Sequence, residues 1–195
     1  CALAALLTLG GGSPQSATPT PTPRGGAESD DEEDVTTPAE EGLSEGTCGE
    51  FGALGYGNNL DVGNATTPAE AGPVPLGGTA VQVVAGGQHS CALLDNGGVR
   101  CWGDGMRGAH GYATLASVGL FNTPADLGDV DLGGPAQSIA AGGFHTCALM
   151  VSGEVRCWGY GINGQLGYGN ENTIGDDESP SAAGTVPLGL NITNP

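Results

Sequence analysis

Two stretches of this 195-residue chain align without a gap: VVAGGQHSCALLDNGGVRCWG, Val83 to Gly103, and IAAGGFHTCALMVSGEVRCWG, Ile139 to Gly159. The offset between them is 56 residues. Two more elements recur in order. GALGYGNN (Gly52 to Asn59) matches GQLGYGNE (Gly164 to Glu171), with a degraded version between them at Gly108 to Tyr112. GPVPLGG at 72–78, ADLGDVDLGG at 125–134 and AGTVPLGL at 183–190 share a Pro/Asp/Gly loop ending in an apolar-Gly pair. Repeats of this kind mark stacked supersecondary units whose faces are covered only by their neighbours.

The period also makes sense of an unusual composition. Gly and Pro supply 38 and 13 residues, a share bordering on low-complexity sequence unless the glycines recur. The chain has no lysine and a net charge of −18, so it offers no cationic surface for nucleic acid or an anionic membrane. No run approaches the ~18 apolar residues that a spanning helix requires. Residues 1–12 (CALAALLTLGGG) resemble the apolar region of an export signal, with a lipidated Cys1 as the alternative reading. Residues 13–47 read as a disordered linker. They are Ser/Thr/Pro-rich from Ser13 to Pro23, and from Glu28 to Glu50 the chain carries ten acidic residues and no basic one. The repeats occupy 48–195.

Within a repeat the pattern is strands and tight turns, with no helical stretch of convincing length. Val81 to Ala85 suits an inner strand, and Ala85-Gly86-Gly87 allows a bulge or a close backbone approach. A hairpin follows. If Cys91 lies opposite Cys101, the loop is Asp95-Asn96-Gly97; if Cys147 lies opposite Cys157, it is Val151-Ser152-Gly153. Both end in the glycine that a three-residue hairpin loop needs at its left-handed position. Opposed cysteines stand ~4.5–5.5 Å apart at Cβ, close to the ~3.5–4.5 Å of a disulfide. The register therefore predicts Cys91–Cys101 and Cys147–Cys157 bridges, worth ~2–3 kcal/mol each, in an oxidising compartment. Cys48 reads as the second member of another pair, whose first member is expected to be absent from this chain.

The same parity puts His89, Cys91, Leu93, Val99 and Cys101 on one side, and Ala92, Leu94, Arg100 and Trp102 on the other. His145 and Arg156 repeat their positions. A zinc site using His89 with Cys91 and His145 with Cys147 lacks the C-x-x-C signal and competes with the disulfides, so no metal is expected. The histidines are expected to bond backbone between units, and Arg100 and Arg156 to contact neighbouring units. Asp176, Asp177 and Glu178 lack the spaced ligand order of a calcium loop and read as a solvated loop.

These residues resemble the repeat of the regulator of chromosome condensation family. The likeness is carried by Gly52, Leu54, Gly55, Gly57, Val84 and Ala85, then by the signature Gly86, His89, Trp102 and Gly103 and its second copy Gly142, His145, Trp158 and Gly159. The cysteine pairs resemble a secreted bacterial variety. The resemblance implies an all-β fold, a partial β-propeller of about two blades and part of a third, from a usual seven of four strands each. An arc of that size needs further blades, from a longer chain or from other copies.

The function implied is a non-catalytic binding module, exported or surface-tethered, at the cell envelope or outside the cell, with a protein or other extracellular ligand and no cofactor. Guanine-nucleotide exchange on a small GTPase and enzyme inhibition are the alternatives. No Ser/His/Asp set, phosphate loop or paired-carboxylate site recurs in the chain.

Overall fold

The computed structural model describes residues 50–63 and 65–189. The segments 1–12 and 13–47, Cys48 and the residues from Leu190 onward lie outside the described residues. Among the described residues six strands form two antiparallel sheets of three. β1 (Ala80–Ala85), β2 (His89–Leu94) and β3 (Val99–Gly103) make the first, and β4 (Ala136–Ala141), β5 (His145–Met150) and β6 (Val155–Gly159) the second, each in chain order.

The hairpin register follows from the loop chemistry. Cys91 pairs with Cys101 and Cys147 with Cys157. The Leu94 N–H donates to the Gly98 carbonyl at 2.8 Å and the Gly97 N–H to the Leu94 carbonyl at 3.0 Å; Met150, Glu154 and Gly153 repeat this at 2.8 and 2.9 Å. Gly97 and Gly153 have φ of 83° and 86°, the region where a side chain would be strained. The β-bulge lies at the start of the first strand of each sheet, between Ala80 and Gln82 and between Ala136 and Ser138. Gly86 instead serves a close approach: a Cβ there would collide with the His89 imidazole and lie 2.6 Å from the Gly142 carbonyl oxygen.

Parity separates the two faces as the register requires. Cys91, Leu93, Val99 and Cys101 enter one apolar cluster, which continues into the second sheet through Ala136, Ile139, Ala148, Met150 and Trp158. Ala92 and Trp102 enter another, with Val118 and, at its margin, Val74 and Leu76. Burying a Leu, Val or Met side chain contributes roughly 1.5–3 kcal/mol. The shared cluster thus binds the two sheets side by side as adjacent blades of an all-β arc.

Two local features differ from the reading of the sequence. Among the described residues there are three one-turn helices: α1 (Pro68–Ala71), α2 (Pro124–Leu127) and α3 (Pro180–Ala183). Each follows a Thr or Ser N-cap and begins with Pro, which has no N–H to leave unsatisfied. In α1 the Glu70 carboxylate accepts from the Thr67 N–H and hydroxyl, both at 2.8 Å. In α2 Asp126 accepts from Thr123 in the same way at 2.8 Å. The second difference concerns the fourth strand of each blade. It shrinks to single bridges, Gly103 with Val118 and Gly159 with Ile174, because the chain between is glycine-rich turn.

Among the described residues two non-glycine positions carry strain, Phe51 at φ 57° and Ala113. Ala113 has φ 55°, where its repeat counterparts Gly57 and Gly169 both have φ 75°. The left-handed conformation costs an L-residue roughly 1–2 kcal/mol, and glycine returns part of that gain through its larger unfolded-state entropy. Ala113→Gly is expected to raise stability by about 0.5 kcal/mol, read as a higher urea midpoint at unchanged slope.

Candidate functional site

The seam between the sheets is polar where it is not apolar. The Gln82 side chain donates from Nε2 to the Ile139 carbonyl at 2.6 Å and accepts at Oε1 from the Ile139 N–H at 2.9 Å, so one amide stitches β1 to β4. The Gly87 N–H donates to the Gly143 carbonyl at 2.7 Å.

His89, 2% exposed, lies 2.8 Å from the Thr146 hydroxyl through Nε2. That hydroxyl donates to the Ala109 carbonyl at 3.3 Å, so His89 carries its proton on Nε2. Its Nδ1 has no partner among the described residues. The histidine does bridge the units, but its partner is a side chain and not the backbone expected from the sequence. Burial, then the neighbouring His110 and His145 rings, push its imidazole down to about 4, against the opposing pull of Asp104. His110 is fully buried at the repeat position of Leu54 and Leu166, with Nε2 2.9 Å from the Ala116 carbonyl, and burial lowers its pKa too.

The predicted cysteines come together as disulfides, Cys91–Cys101 with Cα atoms 4.1 Å apart and Cys147–Cys157 at 4.0 Å. The two arginines are structural. Arg156 donates through one terminal nitrogen to the carbonyls of Pro180, Ser181 and Gly184, at 3.3, 3.0 and 3.1 Å. Arg100 donates to the Leu76 carbonyl and, through Nε, to Asp129 Oδ1 at 2.9 Å. Gly103 and Gly159 pair with β2 and β5 opposite His89 and His145. The Trp102 and Trp158 indoles donate to the Ala53 and Ala109 carbonyls at 2.9 and 3.0 Å. His89, Trp102 and Trp158 therefore hold the frame through their side chains, and Gly103 and Gly159 through their strand pairing.

A cleft of about 540 Å³ lies among the loops at the hairpin end of the seam, between residues 96–99 and 129–135. Two carboxylates line it. Asp131 accepts from the Gly133 N–H at 3.1 Å and from the Ser179 and Ser181 hydroxyls at 3.0 and 2.5 Å. The Ser181 hydroxyl foremost holds its pKa below the usual range. Asp129 has a side chain 43% exposed, with its second oxygen over Gly98.

The repeat shows what is special here. Pro73 and Thr185 stand at the position of Asp129, Pro75 and Pro187 at that of Asp131, and Glu154 at that of Gly98. Only the middle copy joins two carboxylates to an unobstructed hairpin. These aspartates stand outside the repeat pattern, and comparing the three PVPLG, DVDLG and TVPLG loops residue by residue is the signal that shows them.

Asp176, Asp177 and Glu178 lie elsewhere, with carboxylate oxygens within 4.8 Å of one another. Desolvation, then the adjoining Asp177, push Glu178 up to about 7.

The comparisons with known proteins agree with this architecture. The family described as Regulator of chromosome condensation (RCC1) repeat matches residues 80–108 and 136–165. The chain is 36% identical over 127 residues to the Regulator of chromosome condensation of Drosophila melanogaster, covering 65% of this chain and 22% of that protein. It is 33% identical over 131 residues to the human E3 ubiquitin-protein ligase HERC2, covering 65% and 2%. It is 30% identical over 130 residues to the Ultraviolet-B receptor UVR8 of Arabidopsis thaliana, covering 63% and 26%. The chain thus spans about a quarter or less of the length of these relatives. Among solved structures, Prp20p of Saccharomyces cerevisiae gives a TM-score of 0.48 at 19% identity, over 67% of this chain and 32% of that one. The two matched segments contain the two sheets, so each sheet is similar to one repeat of the regulator of chromosome condensation type.

Proposed function

We propose that this chain is a non-catalytic binding module of an exported or surface-held protein, and that its acidic cleft receives a basic segment of a partner protein. The observation that carries this reading is the pair Asp129 and Asp131, which break the repeat where the loops of both blades meet. Binding residues gather on loops held by a rigid frame. The glycines at 97, 98, 133 and 134 leave room for an extended backbone to approach. The net charge of −18 steers cations toward the chain at long range, and a close charge pair in the cleft supplies selectivity. Location outside the cytosol is supported by a disulfide in each blade, since such bonds persist in oxidising compartments.

Calorimetric titration of the full chain with a Lys/Arg-rich peptide, and with the same peptide carrying Glu in place of each basic residue, tests the reading. The basic peptide is expected to bind and the acidic one not. A Cβ at Gly134 meets nothing within 4 Å, so Gly134→Arg keeps the fold while filling the cleft with a cation. It is expected to weaken binding about tenfold or more, which corresponds to ~1.4 kcal/mol, and Asp129→Asn by a smaller factor. Equal binding by the parent chain and Gly134→Arg assigns the attraction to net charge and removes the cleft from the account.

Nucleotide exchange on a small GTPase is the second reading, favoured by the likeness to the Drosophila protein. Acceleration of nucleotide release by the full chain would put it first.

A further inference from the structure

Residues 52–57 pack on the first sheet as residues 108–113 pack on the second. The indole of Trp102 donates to Ala53 as that of Trp158 donates to Ala109. The Tyr56 hydroxyl donates to the Gly72 carbonyl at 2.9 Å, as Tyr112 does to Gly128 at 2.8 Å and Tyr168 to Gly184 at 3.4 Å. Gly52 abuts the backbone of Gly119 and Leu120, as Gly108 abuts that of Gly175 and Asp176. The tyrosines fall at a strict 56-residue interval. Residues 52–57 therefore occupy the place of a link arriving from a unit ahead of the first sheet.

In both complete copies this link follows the strand that holds the second cysteine of a disulfide. Cys101 stands seven residues before Gly108, and Cys157 seven before Gly164. Cys48 stands four before Gly52, which gives it the same role. In both copies the first cysteine opens the tripeptide Cys-Ala-Leu, at Cys91-Ala92-Leu93 and Cys147-Ala148-Leu149. That tripeptide occurs a third time, at Cys1-Ala2-Leu3.

We propose that Cys1 and Cys48 form a third disulfide, equivalent to Cys91–Cys101 and Cys147–Cys157. The Ser/Thr/Pro-rich and acidic segment becomes an insertion closed at both ends, at the position where the other copies have a three-residue turn. Formation of the bond removes two protons and two electrons from the two thiols. A small-molecule disulfide such as oxidised glutathione accepts them, by thiolate attack and exchange through a mixed disulfide. The pairing does not depend on what the cleft binds.

The placement of the four basic residues makes the test simple. Trypsin acting on the denatured, unreduced full chain cuts after Arg24, Arg100, Arg107 and Arg156, with free thiols first blocked by iodoacetamide. The expected products are one assembly of 1–24, 25–100 and 101–107, and another of 108–156 with 157–195. Fragment 1–24 is released only on reduction. Release of alkylated 1–24 without reductant, or its recovery joined to any fragment other than 25–100, overturns the proposal. Cys48→Ser supplies the second arm: 1–24 is then released alkylated while Cys91–Cys101 and Cys147–Cys157 persist. Retention of 1–24 in that variant also overturns it.

Discussion

Replacing Trp158 by alanine lowers the stability of the protein by about 3–5 kcal/mol, the cost of emptying a large aromatic site in a close-packed interior. The indole is fully buried and stands in the cluster that also holds Cys91, Leu93 and Val99 of the other sheet. A Cβ at Gly111 would lie 2.8 Å from its ring nitrogen and as close to Val130, so the backbone around the ring has no slack with which to collapse. Trp158→Phe keeps most of the apolar contact and loses the bond to the Ala109 carbonyl. It is expected to cost less, because the Thr146 hydroxyl still donates to that oxygen at 3.3 Å. Urea unfolding checks both variants: the midpoint falls at an unchanged slope, and falls further for alanine.

Acid is expected to loosen the same seam through His89. The unfolded imidazole takes up a proton near 6.5 and the folded one near 4, so through that window the unfolded chain binds more protons. The contribution is therefore fully present above the window and is lost as pH falls through it, the loss levelling off below about 4. At ~1.4 kcal/mol per unit the full loss is roughly 3 kcal/mol. His110, depressed by burial, acts in the same direction. Glu178 opposes it, because its folded pKa lies above the unfolded value and its proton uptake favours the folded state as pH drops from about 7.

The cleanest reading is accordingly a difference. Glu70, Asp126 and Asp131, all depressed, and Glu178 remain in His89→Gln and cancel when the two proteins are compared. The stability of the parent minus that of His89→Gln is expected to be flat above pH 7 and to fall by roughly 3 kcal/mol by pH 4. A difference that stays constant across the range would place His89 in contact with solvent.

How much of this was legible in the sequence depended on whether a residue's role repeats. The hairpin register could be read because Cys91, Cys101 and Gly97 admit a single pairing that Cys147, Cys157 and Gly153 then reproduce. Face assignment followed from it. The one-turn helices escaped because four residues are too few for a 3.6-residue period to show. Their signal was instead the Thr-Pro and Ser-Pro starts at 67, 123 and 179. The role of Thr146 is not legible, since a hydroxyl beside a cysteine says nothing about a histidine 57 residues away until the sheets are side by side. His110 and the two cleft aspartates were hidden for the opposite reason. Each departs from the repeat, and a search for similarity passes over departures.

The central physical claim is that the two sheets are stable only against one another. Native-state hydrogen exchange on Trp158→Ala, read amide by amide, tests it most directly. The substitution lies in the second sheet, yet the amides of β2 in the first should lose protection by about the same free energy as those of β5. Loss confined to β4, β5 and β6, with β2 keeping its parental protection, would contradict the account.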